Sequence, residues 1–277
     1  LQHLADRSSF TSLIPTSMAH EFFRLPELVP AVADVRPKSR RYIKAVPPQP
    51  LARPLRGVLF DMCNVLYDDT VWRRWVLQLL GKMGLYTNYC SFFRLWDRDF
   101  LDDVHTGRRN FREAFESFLR CAGLSAGQIN EVEAASHARR RHLEKHARPL
   151  PGVRHTLWRL HQEGFVMGLV CDSEHTASEL RTSMQRFGIE KLFPTLISSI
   201  DLKKCMPAPE IYLSAIQAMN IAPDSVAFVG HDRVELAGAA AVGMATIAFN
   251  FDADAEADVH LTRFEELIMV LGSPAGP

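Results

Sequence analysis

Apolar and polar positions follow three different patterns along the 277 residues, and each predicts a different kind of structure. Residues 24–56 are interrupted by Pro26, Pro30, Pro37, Pro47, Pro48, Pro50 and Pro54 and carry Arg36, Lys38, Arg40, Arg41, Lys44, Arg53 and Arg56. Proline lacks a backbone donor and fixes φ, which bars this stretch from a helix interior or a central strand. Residues 1–56 are therefore expected to form a poorly ordered basic leader, extended on the domain or loose in solvent; the competing expectation is an arm for RNA or another anionic partner. The first methionine is Met18, and translation is expected to start there or at a non-standard codon upstream.

From Gly57 the pattern changes. GVLFD (57–61) is a short apolar run ending in a carboxylate, the pattern of a parallel strand buried on both faces. Residues 70–147 show only helical spacing: Thr70 is placed to cap VWRRWVLQLL, FREAFESFL (111–119) sets its phenylalanines at helical intervals, and Ser125 with Gln128 forms a capping box for a long charged helix to His146. After Pro149-Leu150-Pro151-Gly152, helices and strands alternate. The spacing predicts helices over 153–163, 175–187, 209–219 and 233–242, strands over 165–170, 195–199, 225–230 and 244–249, and a last helix opened by Thr262 with Glu265. Such alternation implies an α/β fold, a parallel sheet with helices on both faces and a helical segment inserted after the first strand. In such sheets the site lies beyond the carboxyl ends of the strands, where strand order reverses.

The residues expected at those ends are Asp61, Cys63 and Asn64; Cys171, Asp172 and Ser173; Lys203 and Lys204; and His231, Asp232 and Glu235. A carboxylate such as Asp61, closing an apolar strand, needs a cation, a metal or several N–H donors. That pattern suits covalent catalysis, in which the carboxylate attacks a phosphoryl or carbon centre, a lysine or divalent ion offsets the charge, and water releases the intermediate.

Composition narrows the choice. Lys plus Arg and Asp plus Glu number 32 each, so no net field draws in nucleic acid or an anionic membrane, and neither is expected as a partner. No apolar run approaches the roughly 20 residues that span a bilayer. The five cysteines lack zinc-finger or thioredoxin spacing, which fits a reduced, cytoplasmic chain.

LFDMCNVLYDD (59–69), LVCDSE (169–174), DLKKCMPAPEIY (201–212) and FVGHDRVELAGAAAVGM (228–244) together resemble, in order and spacing, the four motifs of the haloacid dehalogenase-like superfamily. PGVRHTLWRL (151–160) resembles the helix before its second strand, and the likeness extends over 57–270. The resemblance implies a Rossmann-like core of residues 57–69 and 148–277, a helical cap over 70–147, and Asp61 as nucleophile. It also implies magnesium held by Asp61, the Cys63 carbonyl, His231, Asp232 and Glu235, with Asn64, Cys171, Asp172 and Ser173 binding a small phosphorylated substrate.

The departures from that pattern open alternatives. Cys63 stands where the family's phosphatases carry their acid–base aspartate, and a thiol with an ordinary pKa of about 8.5 replaces it poorly. Met206 stands in the place of the motif lysine, leaving Lys203 or Lys204 to compensate charge; His231 replaces a metal-binding aspartate. The leading expectation is a magnesium-dependent phosphatase. A carbon–halogen or carbon–phosphorus hydrolase, the latter needing a cap lysine such as Lys82, and a catalytically silent binding protein are the alternatives. A further expectation is a zinc pocket formed by Cys63, Cys171, Cys205 and His231.

Overall fold

The computed structural model describes residues 48–275. The expected start at Met18 and residues 1–47 of the expected leader lie outside the described residues. The end of that leader belongs to the core: Leu55 is fully buried, Leu51 N donates to Val270 O at 2.9 Å and Arg56 N to Ser225 O at 2.8 Å.

Six parallel strands form one sheet: β1 (Gly57–Asp61), β2 (Val166–Cys171), β3 (Thr195–Ser198), β4 (Val226–Gly230), β5 (Ala245–Phe249) and β6 (Val259–Leu261), in the order β3-β2-β1-β4-β5-β6. β6 is the strand that the apolar pattern does not predict. It is three residues long and half-exposed at the sheet edge, too short to show a period. β1 lies between β2 and β4, with Asp61 beside Val170, so strand order reverses at the end of β1.

Alternate side chains of the strands enter two separate cores. Val58 and Phe60 of β1 pack with helices α5 (Val153–Glu163), α6 (Ala177–Phe187) and α9 (Glu266–Leu271). Leu59 points the other way, to α7 (Pro209–Met219) and α8 (Arg233–Ala241). At Gly168 in β2 the second layer comes very close, and a Cβ there would stand 2.6 Å from Met219 Sδ. This is the α/β arrangement that the alternation of elements implies, with helices on both faces.

Between β1 and α5 the chain forms helices α1 (Thr70–Lys82), α2 (Tyr89–Trp96), α3 (Phe111–Cys121) and α4 (Ala126–His146). α2 runs on through a π-turn at Asp97–Leu101 and a last turn at Asp102–His105. This insertion has its own aromatic core, in which Phe92 and Phe118 lie 4.7 Å apart and Trp72 and Phe115 5.3 Å apart, edge to face or tilted as ring quadrupoles favour. Ser125 and Gln128 form both halves of the capping box. Thr70 does not cap α1, because it is the first helical residue and Asp69 takes the N-cap position; its amide and hydroxyl both donate to Asp68 Oδ1, at 3.0 and 2.6 Å, and its Oγ accepts Arg74 Nη1 at 2.6 Å. Thr262 likewise donates to Glu266 instead of Glu265. The chain's exit to the insertion and its return run side by side, with Leu150 N donating to Leu66 O at 2.8 Å and Tyr67 bridging to Cys63 and Pro149. Among the described residues no helix is long and apolar enough to cross a membrane.

Candidate active site

β1 ends in Asp61, whose carboxylate is only 2% exposed. Its Oδ1 accepts the amide of Met62 at 2.7 Å, while Oδ2 lies 3.4 Å from His231 Nδ1 and has no hydrogen bond. His231 follows β4, the neighbouring strand. Its Nδ1 is also 3.3 Å from Glu235 Oε2, one helical turn on in α8, and its Nε2 meets the Asn64 amide at 3.2 Å. Asn64 reaches this position by adopting a φ of 57°, a left-handed conformation that asparagine tolerates better than most residues.

The ring therefore lies between the buried carboxylate of Asp61 and the half-buried carboxylate of Glu235. Burial pushes the Asp61 carboxyl up, the charge of Glu235 adds to this, and His231 and the Met62 amide oppose it, leaving the group at about 7. Burial acts to depress His231, but the charge of Glu235 and the contacts with Asp61 outweigh it and hold the ring well above 6.5. His231 is the one cation within ion-pair distance of Asp61 among the described residues. Asn64 faces Nε2 with its Nδ2, which suits a neutral ring accepting there; a protonated ring, which donates from Nε2, requires the Asn64 amide turned over so that its unpaired Oδ1 accepts.

The other predicted residues separate into different surroundings. Asp232 faces the start of α8, where its Oδ1 accepts the amides of Val234 and Glu235 at 2.6 and 3.4 Å as an N-cap. Cys63 Sγ lies 3.9 Å from Cys171 Sγ and 3.5 Å from the Tyr67 hydroxyl. Its hydrogen bond to Cys171, followed by burial, pushes the Cys63 thiol well above its ordinary range. Both oxygens of Asp172 accept Met206 N, at 3.1 and 3.0 Å, and burial lifts this carboxyl to about 8 against that hydrogen bond. Ser173 donates its amide to Ser199 Oγ at 2.9 Å, and its own hydroxyl accepts the His175 amide at 3.0 Å. Lys204 pairs with Glu210 at 3.2 Å, and Lys203 is exposed, its Nζ lying against Gly107 of the insertion. The expected four-ligand zinc pocket does not form. Cys63 and Cys171 pair with each other, Cys205 lies with His105 and Asp172, and His231 lies with Asp61 and Glu235.

The sequence matches a family description, "haloacid dehalogenase-like hydrolase", over residues 55–243, a span that holds every strand-end segment described above. The chain belongs to the haloacid dehalogenase-like hydrolase family. It is similar to a glyceraldehyde 3-phosphate phosphatase of Pyrococcus furiosus, at 26% identity over 78% of this chain and 90% of that protein. It is also similar to (S)-2-haloacid dehalogenase 4A of Burkholderia cepacia, at 26% identity over 71% of this chain and 83% of that protein. Among solved structures, a magnesium-bound HAD-hydrolase of Bacillus subtilis superposes with a TM-score of 0.61 at 17% identity, covering 79% of this chain and 99% of that one, which shows a shared fold.

In this haloacid dehalogenase-like hydrolase, Asp61 Oδ2, His231 Nδ1 and Glu235 Oε2 are buried, lack hydrogen bonds and lie within 4.8 Å of one another. With His231 neutral they would suit one small divalent cation. Two carboxylate oxygens and an imidazole nitrogen match an ion that accepts nitrogen, such as manganese or zinc; magnesium favours an all-oxygen octahedron, and this set does not match it. With His231 protonated, the ring itself supplies the positive charge.

Sequence reasoning passed over His105, which sits in an unremarkable helical segment, and Asp69. Burial pushes the Asp69 carboxyl up, and the charges of Arg73 and His231 with the Asn64 side chain oppose it.

Proposed function

We propose that the chain hydrolyses a small phosphate ester through Asp61. The observation that supports this reading is the Asp61 carboxylate itself, buried at the point where strand order reverses, with one oxygen fixed by the Met62 amide and the other free beside a cationic ring. Asp61 Oδ2 attacks phosphorus, the bond from phosphorus to the leaving oxygen breaks, and water then cleaves the aspartyl phosphate. The His231 ring offsets the charge of Asp61, and Asn64 orients the ring. A divalent ion in place of the ring proton would polarise the phosphoryl oxygens.

With no carboxylic acid at position 63, the leaving oxygen departs without a proton from that side chain. The reading therefore favours substrates with weakly basic leaving groups, such as aryl or acyl phosphates, over alkyl phosphates. Because Asp61 is nearly closed off from solvent, the helical insertion has to act as a cap that opens to admit substrate.

A second reading, a binding protein without turnover, is supported by the closure over Asp61 and by Lys204 being paired elsewhere. Phosphate release from para-nitrophenyl, acetyl and glycerol phosphates, measured with magnesium, manganese or chelator, tests both. Release abolished in Asp61→Asn upholds the first reading. No release, together with thermal shifts on adding phosphorylated metabolites, upholds the second. Chloride release from a 2-haloacid without phosphatase activity moves the chain to the dehalogenase chemistry.

A further inference from the structure

Apart from the Asp61 centre, one set of metal-ligating atoms converges from three segments. His105 closes the last turn of the extended α2, Asp172 is the first residue after β2, and Cys205 lies in the loop leading to α7. One ligand atom from each lies within 4.8 Å of the other two, and all three residues are half-buried.

The surrounding backbone is already tied together. Ser199 Oγ donates to His105 O at 2.9 Å and accepts the Ser173 amide at 2.9 Å, which fixes the insertion's helix end to the loop after β2. Met206 N donates to both oxygens of Asp172, at 3.1 and 3.0 Å, which fixes that loop to the segment carrying Cys205. No cation lies within ion-pair distance of Asp172 among the described residues. The carboxylate thus lies beside an imidazole and a thiol with no positive partner.

We propose that His105, Asp172 and Cys205 form a zinc site that fastens the helical insertion to the sheet. One nitrogen, one oxygen and one sulfur donor suit zinc, and the sulfur disfavours magnesium and calcium. Ligands around a tetrahedral zinc stand roughly 3.3–3.8 Å apart, so the side chains need to close by about 1 Å, a rotamer adjustment that leaves the tied backbone in place. Water or Asp102, one turn back on the same helix face, completes the shell at the fourth position. The two protein bodies joined by the metal are the ones that must separate for a molecule to reach Asp61, so bound zinc holds them shut. Zinc binding is independent of the phosphatase reading, because none of the three ligands carries out the Asp61 chemistry.

Cobalt titration of the reduced, chelator-stripped full chain tests the site, since only a sulfur ligand gives a thiolate-to-cobalt charge-transfer band. The expected result is a thiolate band that saturates at one equivalent of sulfur-bound cobalt and is displaced by zinc, any cobalt at the Asp61 centre adding nothing to the band. The band should be lost in Cys205→Ser and kept in Cys63→Ser, Cys171→Ser and Asp61→Asn. His105→Asn should weaken cobalt binding by more than about tenfold, the loss that even an outer-shell partner causes. Circular dichroism of each variant confirms that it is folded, and Asp172→Asn, with a nearly isosteric side chain, provides a second ligand deletion. A parent protein that binds cobalt without the band, or a band that survives Cys205→Ser or vanishes in Cys63→Ser, overturns the assignment.

Discussion

Asp61→Asn should make the protein more stable, by an amount set by pH. The Asp61 carboxylate is buried, one of its oxygens has no hydrogen bond, and burial with the charge of Glu235 lifts it from 3.8 to about 7 despite the attraction of His231. One pKa unit corresponds to about 1.4 kcal/mol, so a lift of roughly three units withholds about 4 kcal/mol from the folded state once the group must ionise. The sign follows from the proton count. Between about pH 4 and 7 the folded chain keeps a proton that the unfolded chain has released, so this group lowers stability as pH rises through that window and holds it down above it. Asparagine keeps the shape and the acceptor for Met62 but cannot ionise. Parent and variant should have equal stability near pH 4, and the variant should lead by about 4 kcal/mol at pH 8, roughly 8–16 °C in Tm for a chain of this size. Urea unfolding in chelator-containing buffer across that range measures the gap. A variant no more stable than the parent at pH 8, or a gap of the same size at both pH values, would refute the claim that the His231 ring only partly compensates the buried Asp61 charge.

Further outcomes follow from the same geometry. If ionised Asp61 is the nucleophile, kcat/KM should rise as pH passes about 7, read from a pH–rate profile with para-nitrophenyl phosphate. His231→Asp replaces the ring with a third carboxylate, so the variant should lose stability in chelator and regain it with magnesium. The parent should respond weakly to magnesium, and thermal scans with and without the ion separate the two. Arg140 lies 3.6 Å over the Phe111 ring and pairs with Glu174 beyond β2, so Arg140→Ala should cost about 2 kcal/mol by denaturant midpoint. Arg140→Lys should restore only part of that, because an ammonium cannot stack and fork together.

The sequence disclosed the sheet better than it disclosed the site. Apolar runs such as GVLFD and the small-residue helix of α8 are legible because burial on both strand faces leaves few other residue choices. The Ser125–Gln128 cap is legible because both partners lie within one turn. Asp232 shows where that logic stops. It sits beside His231 in sequence, but the backbone turns there from strand to helix, so one side chain enters the pocket and the other caps α8. Lys204 finds Glu210 across a loop, and His105 meets Cys205 a hundred residues further on. Pairings of that kind come from chain crossing and leave no periodic trace.

The paired exit and return of the helical insertion have a mechanical consequence. Leu66 and Leu150 are joined through their backbones, and Tyr67 touches both Cys63 and Pro149, so the two connectors act as one strap. A swing of the insertion pulls that strap, and the strap begins two residues past Asp61, beside the Met62 amide that grips its Oδ1. If the insertion opens as the proposed function requires, letting a molecule in and re-aiming the carboxylate are geared to the same movement.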